Sequence, residues 1–149
     1  MHQKPNFDIY ILEDDLPMLG RLVSVVEEWE KKNSIVVGTT NQEFRSSVVE
    51  KTPDILLADI NLPDGKSYTS IDIFSKLNPQ GIILVISTLN DSATILRSIL
   101  CGAIGYMHKD DSNLSIINSL NESIAGNSPI SPSIARMLIS HLNNNEEIL

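Results

Sequence analysis

The chain has 149 residues, of which 42% are hydrophobic and 20% charged, so it can bury one core and is too apolar to remain disordered. Its 11 basic and 19 acidic residues give a formal net charge of −8, which disfavours binding of this chain to nucleic-acid backbones or anionic lipid. Its longest apolar run is far shorter than the roughly 20 residues that span a bilayer. With a single cysteine and no leader-like N-terminus, we expect a chain of the reducing cytoplasm.

Short apolar runs alternate with amphipathic segments along the chain, so that strand and helix follow one another in regular order. The apolar runs predict strands at residues 8–12, 35–37, 55–58, 81–86 and 105–108. Apolar positions at helical spacing predict helices at residues 16–32, 41–49, 68–77, 95–100 and 112–126. We expect Asn41 and Ser112 to be N-caps, and residues 62–65 to form a turn because they contain Pro, Asp and Gly.

Strands separated by helices of this length require right-handed crossovers, which make the sheet parallel and put helices on both of its faces. The sequence therefore predicts an α/β fold with a doubly wound, flavodoxin-like sheet of five parallel strands in the order 2-1-3-4-5. We expect residues 1–126 to form this domain and residues 127–149 to form a linker helix and a polar tail. Ser131 is the expected N-cap of that helix and Pro132 its first residue. Its apolar face either covers its own domain or pairs with a second chain.

Polar and charged residues stand at the carboxyl ends of four of the five predicted strands. Glu13 and Asp14 follow the first strand and Asp59 the third, while Ser87 and Lys109 follow the fourth and fifth. In an open parallel sheet these strand ends meet at one edge, where ligands bind. Three carboxylates in one crevice repel one another unless a divalent cation that prefers oxygen ligands lies among them, and we expect Mg²⁺. A carboxylate can also attack phosphorus when a metal and a fixed cation neutralise the transferred group, and Lys109 is the expected cation.

Four segments contain these residues in order: Leu-Glu-Asp-Asp at 12–15, Pro-Asp-Ile-Leu-Leu-Ala-Asp-Ile-Asn-Leu-Pro-Asp-Gly at 53–65, Val-Ile-Ser at 85–87, and Gly-Ala-Ile-Gly-Tyr-Met-His-Lys at 102–109. Over residues 8–126 the chain thereby resembles the receiver domains of bacterial two-component response regulators. The resemblance implies that Asp59 accepts a phosphoryl group from a sensor histidine kinase or a phosphotransfer protein. It also implies that Glu13, Asp14, the phosphoacceptor itself and the backbone carbonyl of Asn61 hold the Mg²⁺ ion.

The same resemblance implies a switch and an output. Ser87 would hydrogen-bond the phosphoryl group, and Tyr106 would be the aromatic residue that rotates inward behind it. On its own, Tyr106 is equally well explained as a half-buried strand residue with an exposed hydroxyl. Residues 125–136 are similar to the linker of the subgroup that ends in a LuxR-like helix-turn-helix, but too few residues follow Leu142 for a DNA-binding module. We therefore expect homodimerisation on phosphorylation and control of transcription through a DNA-binding domain absent from this chain.

Other classes of protein share parts of this pattern. A haloacid-dehalogenase-like phosphatase also forms an aspartyl phosphate, but it needs a second aspartate two residues further on, where this chain has Asn61. A flavodoxin-like flavin carrier needs a first loop that cradles phosphate, which the acids Glu13, Asp14 and Asp15 would repel. A receiver that no longer accepts phosphate and acts only as an interaction module stays open as a third class. We expect a signalling domain that is not an enzyme.

The chain departs from the family pattern directly after Lys109. Many receivers have a proline at the next position, often with a cis peptide bond, whereas this chain has Asp110 followed by Asp111. The geometry of the peptide bond after Lys109 is therefore left open.

Overall fold

The computed structural model describes residues 5–89 and 91–144 of the chain. The strands of these residues are β1 (Phe7–Leu12), β2 (Lys32–Gly38), β3 (Ile55–Ala58), β4 (Asn61–Leu62), β5 (Gly65–Lys66), β6 (Ile82–Ser87) and β7 (Gly105–His108). The helices are α1 (Leu16–Glu28), α2 (Asn41–Val48), α3 (Tyr68–Leu77), α4 (Ser92–Cys101), α5 (Asn113–Ile124) and α6 (Pro132–Asn144). None of these helices is both long enough and apolar enough to span a membrane.

Five parallel strands form the main sheet in the order β2-β1-β3-β6-β7. This order confirms the predicted doubly wound α/β fold, because β6 and β7 are the fourth and fifth strands expected from the sequence. The two short strands β4 and β5 form a separate antiparallel hairpin that contains the predicted turn. The sequence did not predict strands there, since a two-residue strand has no measurable periodicity.

The sheet separates two hydrophobic clusters, which explains why its central strands are continuous apolar runs. All four residues of β3 are buried, and their side chains alternate between the clusters, so that Leu56 lies in one and Leu57 in the other. Helices α1 and α5 cover one face through residues such as Leu22 and Leu120. Helices α2, α3 and α4 cover the other face, with Phe44 of α2 fully buried.

Helix α1 ends at Glu28, earlier than its apolar periodicity predicts, because Trp29 leaves the helix for a contact with the sheet. Its backbone is extended, and its indole ring stacks on Phe7 at the start of β1 with 6.0 Å between ring centroids. The indole N–H donates a 2.9 Å hydrogen bond to Asn121 of α5. Burial of this large aromatic side chain stabilises the fold more than one further helical turn would.

The N-cap of α2 is Thr40, one residue before the expected Asn41. The Thr40 hydroxyl accepts a hydrogen bond from the backbone N–H of Glu43 at 3.1 Å. Asn41 is buried, and its side-chain amide donates to the backbone carbonyls of Gly65 and Lys66 in the β4–β5 hairpin. The asparagine therefore fixes the hairpin that follows β3, which is a tertiary role that a local capping rule does not detect.

Helix α6 covers its own domain in this structure. As expected, the Ser131 hydroxyl accepts a hydrogen bond from the backbone N–H of Ile134, at 3.3 Å, and Pro132 begins the helix. The side chain of Ile134 is only 8% exposed and belongs to the cluster under α3 and α4. At the far end, the Ser92 hydroxyl of α4 hydrogen-bonds His141 Nδ1 at 3.1 Å. The division of the chain after residue 126 into domain and linker stays a prediction.

The segment before α6 lies along the outer edge of β7. The backbone N–H of Tyr106 donates a 3.2 Å hydrogen bond to the carbonyl of Pro129, and Tyr106 forms a parallel bridge with Ile130. Gly105 permits this approach, since a Cβ atom there would lie 2.8 Å from the Pro129 ring. The C-terminal segment thus begins where the last strand of the sheet would otherwise be an open edge.

We predict that Ile134→Ala lowers the free energy of unfolding by about 2 kcal/mol, because it removes a buried side chain at the contact between α6 and the domain. Ile139→Ala in the same helix is the matched control, since this side chain is 59% exposed and its removal changes little. Urea unfolding of both variants measures the difference. Equal stability of the two variants would show that α6 does not pack on the domain in solution.

Candidate functional site

Four of the residues predicted for the site meet at the carboxyl edge of the sheet. Glu13 and Asp14 follow β1 and Asp59 follows β3, and one carboxylate oxygen of each lies within 4.8 Å of the others. Lys109 follows β7, and its Nζ atom lies 2.8 Å from Glu13 Oε1 and 2.9 Å from Asp59 Oδ2. One ammonium group therefore bridges two carboxylates that are far apart in sequence.

The carboxylate of Asp59 is held by the backbone around it. Its Oδ1 atom accepts a 2.7 Å hydrogen bond from the N–H of Ile60, and its own N–H donates to the carbonyl of Leu12 at 2.9 Å. The buried hydroxyl of Ser67, just before α3, donates to the Asp59 carbonyl. These contacts, together with Lys109 on Oδ2, fix the orientation of a side chain that is nearly buried.

Burial and pairing have opposite effects on the charges of the site. Burial raises the pKa of the Glu13 carboxyl, and the Lys109 ammonium group and a hydrogen bond from the N–H of Asp15 offset only part of this effect. Burial alone would lower the pKa of Lys109, but the neighbouring carboxylates of Glu13 and Asp59 outweigh that effect, and the pKa is raised. Lys109 therefore stays charged at neutral pH, and Glu13 gains a proton more readily than an exposed glutamate does.

The chemistry of the oxygen donors fits a divalent metal ion. Glu13 Oε1 is fully buried, and its 2.8 Å contact with the Lys109 ammonium group is an ion pair that lacks hydrogen-bond geometry. The ammonium group is thus close enough to attract this oxygen, and no hydrogen bond within the described residues satisfies it. Glu13, Asp14 and Asp59 together offer hard oxygen ligands, two of them buried and one open to solvent. This acidic cluster could hold a metal such as Mg²⁺.

Ser87, the last residue of β6, and Tyr106 of β7 are linked through Leu89. Both side chains are buried, and the Ser87 hydroxyl accepts a 3.1 Å hydrogen bond from the N–H of Leu89. The Tyr106 hydroxyl donates to the carbonyl of the same residue. Burial raises the pKa of Tyr106 to about 12, so this hydroxyl remains a donor at physiological pH. Neither side chain hydrogen-bonds Asp59 among the described residues, and their roles stay predictions.

Asn61 lies in β4, two residues after Asp59, with its side chain at the surface. Its side-chain oxygen accepts a hydrogen bond from the ammonium group of Lys66 in the paired strand. The proposed part of its backbone carbonyl in metal binding stays a prediction.

Sequence reasoning missed two residues that support the site. Ser67 binds the Asp59 carbonyl, and its only signal in the sequence is its position directly before a predicted helix. Arg21 of α1 donates hydrogen bonds to the backbone carbonyls of Lys109 and Asp111. No local pattern marks Arg21, because its partners lie about 90 positions further along the chain.

The chain is thus a doubly wound α/β domain with an acidic cluster and a lysine at the carboxyl edge of its sheet. Residues 9–121 match the family described as the response regulator receiver domain, and the chain belongs to this family. Acceptance of a phosphoryl group on an aspartate, in two-component signalling, is general to the family.

Two curated relatives are named as regulatory proteins. The transcriptional regulatory protein DesR of Bacillus subtilis (strain 168) is 28% identical over 136 residues, which are 91% of this chain and 67% of DesR. The nitrate/nitrite response regulator protein NarL of Escherichia coli (strain K12) is 26% identical over 136 residues, 91% of this chain and 63% of NarL. The chain thus spans about two thirds of the length of these relatives.

Not every relative is named as a regulator. A protein-glutamate methylesterase/protein-glutamine glutaminase of Carboxydothermus hydrogenoformans is 27% identical over 109 residues, which cover 72% of this chain and 31% of that protein. The similarity to this enzyme is therefore limited to a region about as long as the receiver domain.

Solved structures share the fold. A two-component response regulator of the LuxR family from Aurantimonas sp. SI85-9A1 aligns with a TM-score of 0.82 at 20% identity, over 91% of this chain and 97% of that one. The RcsB response regulator of Salmonella typhimurium aligns with a TM-score of 0.79 at 18% identity, over 89% of this chain and 65% of that one. At these identities the likeness shows the fold alone.

We predict that Lys109→Met lowers the free energy of unfolding by about 3 kcal/mol at pH 8, because it leaves two buried carboxylates without their cation. The loss becomes smaller toward pH 5. The pKa of Glu13 is higher in the folded chain than in the unfolded chain, so its ionised form disfavours folding at high pH. As pH falls, Glu13 gains a proton and this unfavourable contribution disappears.

Urea unfolding at both pH values measures this difference, with Lys76→Met as the control. Lys76 forms an exposed ion pair with Asp72 in α3, and its loss has little effect at either pH. A Lys109→Met penalty that is the same at pH 8 and pH 5 would contradict the role of Glu13.

Proposed function

We propose that this chain is the phosphoacceptor domain of a response regulator, in which Asp59 takes a phosphoryl group from a sensor histidine kinase or a phosphotransfer protein. The observation that supports it most is the contact of Lys109 with both Asp59 and Glu13. A cation next to a fixed carboxylate is what phosphoryl transfer to that carboxylate needs, since charge develops on the transferred group.

In this proposal one oxygen of Asp59 attacks phosphorus and the bond from phosphorus to the donor breaks. The backbone N–H of Ile60 holds one carboxylate oxygen and Lys109 holds the other, so little reorientation is required. After transfer, the ammonium group of Lys109 neutralises an oxygen of the phosphoryl group. The contacts of Asp59 with Lys109 and with the N–H of Ile60 favour an active phosphoacceptor over a receiver that only binds partners.

We assign the metal site to Glu13, Asp14 and Asp59 with the backbone carbonyl of Asn61. Bound Mg²⁺ would neutralise charge on the transferred group. Glu13 supplies a buried oxygen that no hydrogen bond within the described residues satisfies, and Asp14 supplies one that a hydrated ion can reach from solvent. Lys109 offsets part of the acidic charge before any metal binds, which explains how the carboxylates coexist.

We propose Ser87 and Tyr106 as the switch residues. The Ser87 hydroxyl would leave the N–H of Leu89 to bind the phosphoryl group, and the Tyr106 hydroxyl holds the carbonyl of the same residue. A change at Ser87 therefore reaches Tyr106 through one peptide segment. Tyr106 is already buried in this structure, so phosphorylation would stabilise the inward position.

The output of this domain is proposed from its relatives. DesR is named as a transcriptional regulator, and one RcsB structure contains dimers bound to DNA, which supports a regulator of transcription rather than an enzyme. A DNA-binding domain outside this chain, a homodimer formed on phosphorylation, and a cytoplasmic location stay predictions.

We predict that the wild-type chain takes up one phosphoryl group from a small phosphodonor in the presence of Mg²⁺, and that Asp59→Asn takes up none, because an amide is a poor nucleophile. Asp110→Asn is the matched control, since this aspartate is 92% exposed and lies next to the site lysine. Phosphate-affinity electrophoresis separates the phosphorylated chain from the unphosphorylated chain. Equal labelling of wild type and Asp59→Asn would reject the assignment.

We also predict that Asp14→Ala lowers the affinity for Mg²⁺ by at least about tenfold, because it removes one of few hard oxygen ligands. The stability of the metal-free chain should not fall, since one fewer carboxylate reduces repulsion in the cluster. Isothermal titration calorimetry measures the affinity for Mg²⁺, with Asp110→Ala as the matched control. An unchanged affinity in Asp14→Ala would mean that the metal binds elsewhere.

A further inference from the structure

We propose that Arg21 is a positioning residue that sets the location of Lys109, so that helix α1 determines where the site ammonium lies. This inference rests on the proposed function, because it assigns Arg21 an effect on phosphoryl transfer to Asp59. Arg21 does not contact Asp59 among the described residues, and it acts through the backbone of the β7–α5 loop.

All three nitrogens of the Arg21 guanidinium group bind this loop or the first residue of α5. One terminal nitrogen donates to the carbonyl of Lys109 at 2.8 Å, and the other donates to the carbonyl of Asp111. The Nε atom donates to Asn113 Oδ1 at 2.9 Å. A planar guanidinium group offers donors in fixed directions, so these contacts define the position of the loop as well as stabilising it.

The backbone of Lys109 is therefore held on both sides. Its N–H donates a 3.0 Å hydrogen bond to the carbonyl of Ser87 in β6, and its carbonyl accepts from Arg21. Its side chain continues from this fixed backbone to Glu13 and Asp59. A shift of the Lys109 backbone would move the ammonium group relative to both carboxylates.

The other hydrogen bonds of the loop are local. The N–H of His108 donates to Asp111 Oδ2, the N–H of Asp110 donates to His108 Nδ1, and the N–H of Asp111 donates to the carbonyl of His108. These bonds shape the turn but do not anchor it to another helix. In the described part of the chain, Arg21 supplies that anchor.

The same helix is also tied to the acidic side of the site. The N–H of Asp15 donates to Glu13 Oε2 at 3.1 Å, and the Asp15 carboxylate caps α1 by accepting from the N–H of Met18. Glu13 is thus connected to Lys109 in two ways: through α1 and Arg21, and directly through the ion pair. This closed path fixes the cation and one carboxylate relative to a single helix.

The test compares initial rates of phosphorylation of the full chain by phosphoramidate with Mg²⁺. We expect Arg21→Ala to be about tenfold slower than wild type, because a displacement of a catalytic group by a fraction of an ångström has effects of this order. Arg45→Ala is the matched control: Arg45 is an exposed arginine in α2, and its loss should change the rate less than about twofold.

A double-mutant cycle distinguishes positioning from a general loss of structure. In a Lys109→Ala background, Arg21→Ala should cause no further decrease in rate if Arg21 acts through Lys109. The same tenfold decrease in both backgrounds would overturn the proposal.

Arg21→Lys separates hydrogen-bond geometry from charge and serves as the variant if Arg21→Ala does not fold. An ammonium group keeps the charge but lacks the planar set of donors, so we expect this variant to be slowed as well. A wild-type rate in Arg21→Lys would overturn the proposal, since charge alone would then suffice.

The outcomes also separate this inference from the proposed function. If wild type is labelled on Asp59 and Arg21→Ala reacts as fast as Arg45→Ala, the positioning role is wrong while the phosphoacceptor stands. If wild type takes up no phosphoryl group, the proposed function fails and the role of Arg21 fails with it.

Discussion

The contact between one ammonium group and two nearly buried carboxylates is the constraint on which the carboxyl edge of this domain depends. Glu13 and Asp59 end neighbouring strands, and without Lys109 their charges would oppose the pairing of β1 with β3. Buried ion pairs of this kind contribute little to stability compared with apolar residues of similar size. The desolvation penalty of these buried charges is consistent with a functional role, in which a bound metal or phosphoryl group changes the local net charge.

Sequence reasoning predicted the sheet, and it predicted for the same physical reason that four residues of the candidate site lie together. Buried parallel strands are continuous apolar runs, so the residue that ends each run is visible, and topology brings those residues together. Asp59 and Lys109 could be assigned in this way. Residues whose role depends on distant partners could not: Trp29 ends α1 through a contact with β1 and α5, and Arg21 binds a loop about 90 residues away. Local spacing contains no information about such contacts.

Two side-chain hydrogen bonds join α5 to helix α1 and to Trp29, the residue that follows α1. Arg21 binds Asn113 at the start of α5, and Trp29 binds Asn121 further along the same helix. The first of these contacts lies next to the loop that contains Lys109, while the second lies at the opposite end of the sheet. The pair of helices therefore links the core packing on one face to the geometry of the site.

The position of Trp29 has a spectroscopic consequence. It is the single tryptophan of the chain, and it stacks on Phe7, the first residue of β1, whereas Glu13 follows the last residue of the same strand. The length of β1 puts Phe7, and with it the indole ring, about 20 Å from Glu13. The emission of Trp29 therefore monitors the packing of α1 against the sheet and α5, and occupancy of the acidic cluster has to be followed by a separate signal. Unfolding and ligand binding can thus be followed in one sample by two independent observables.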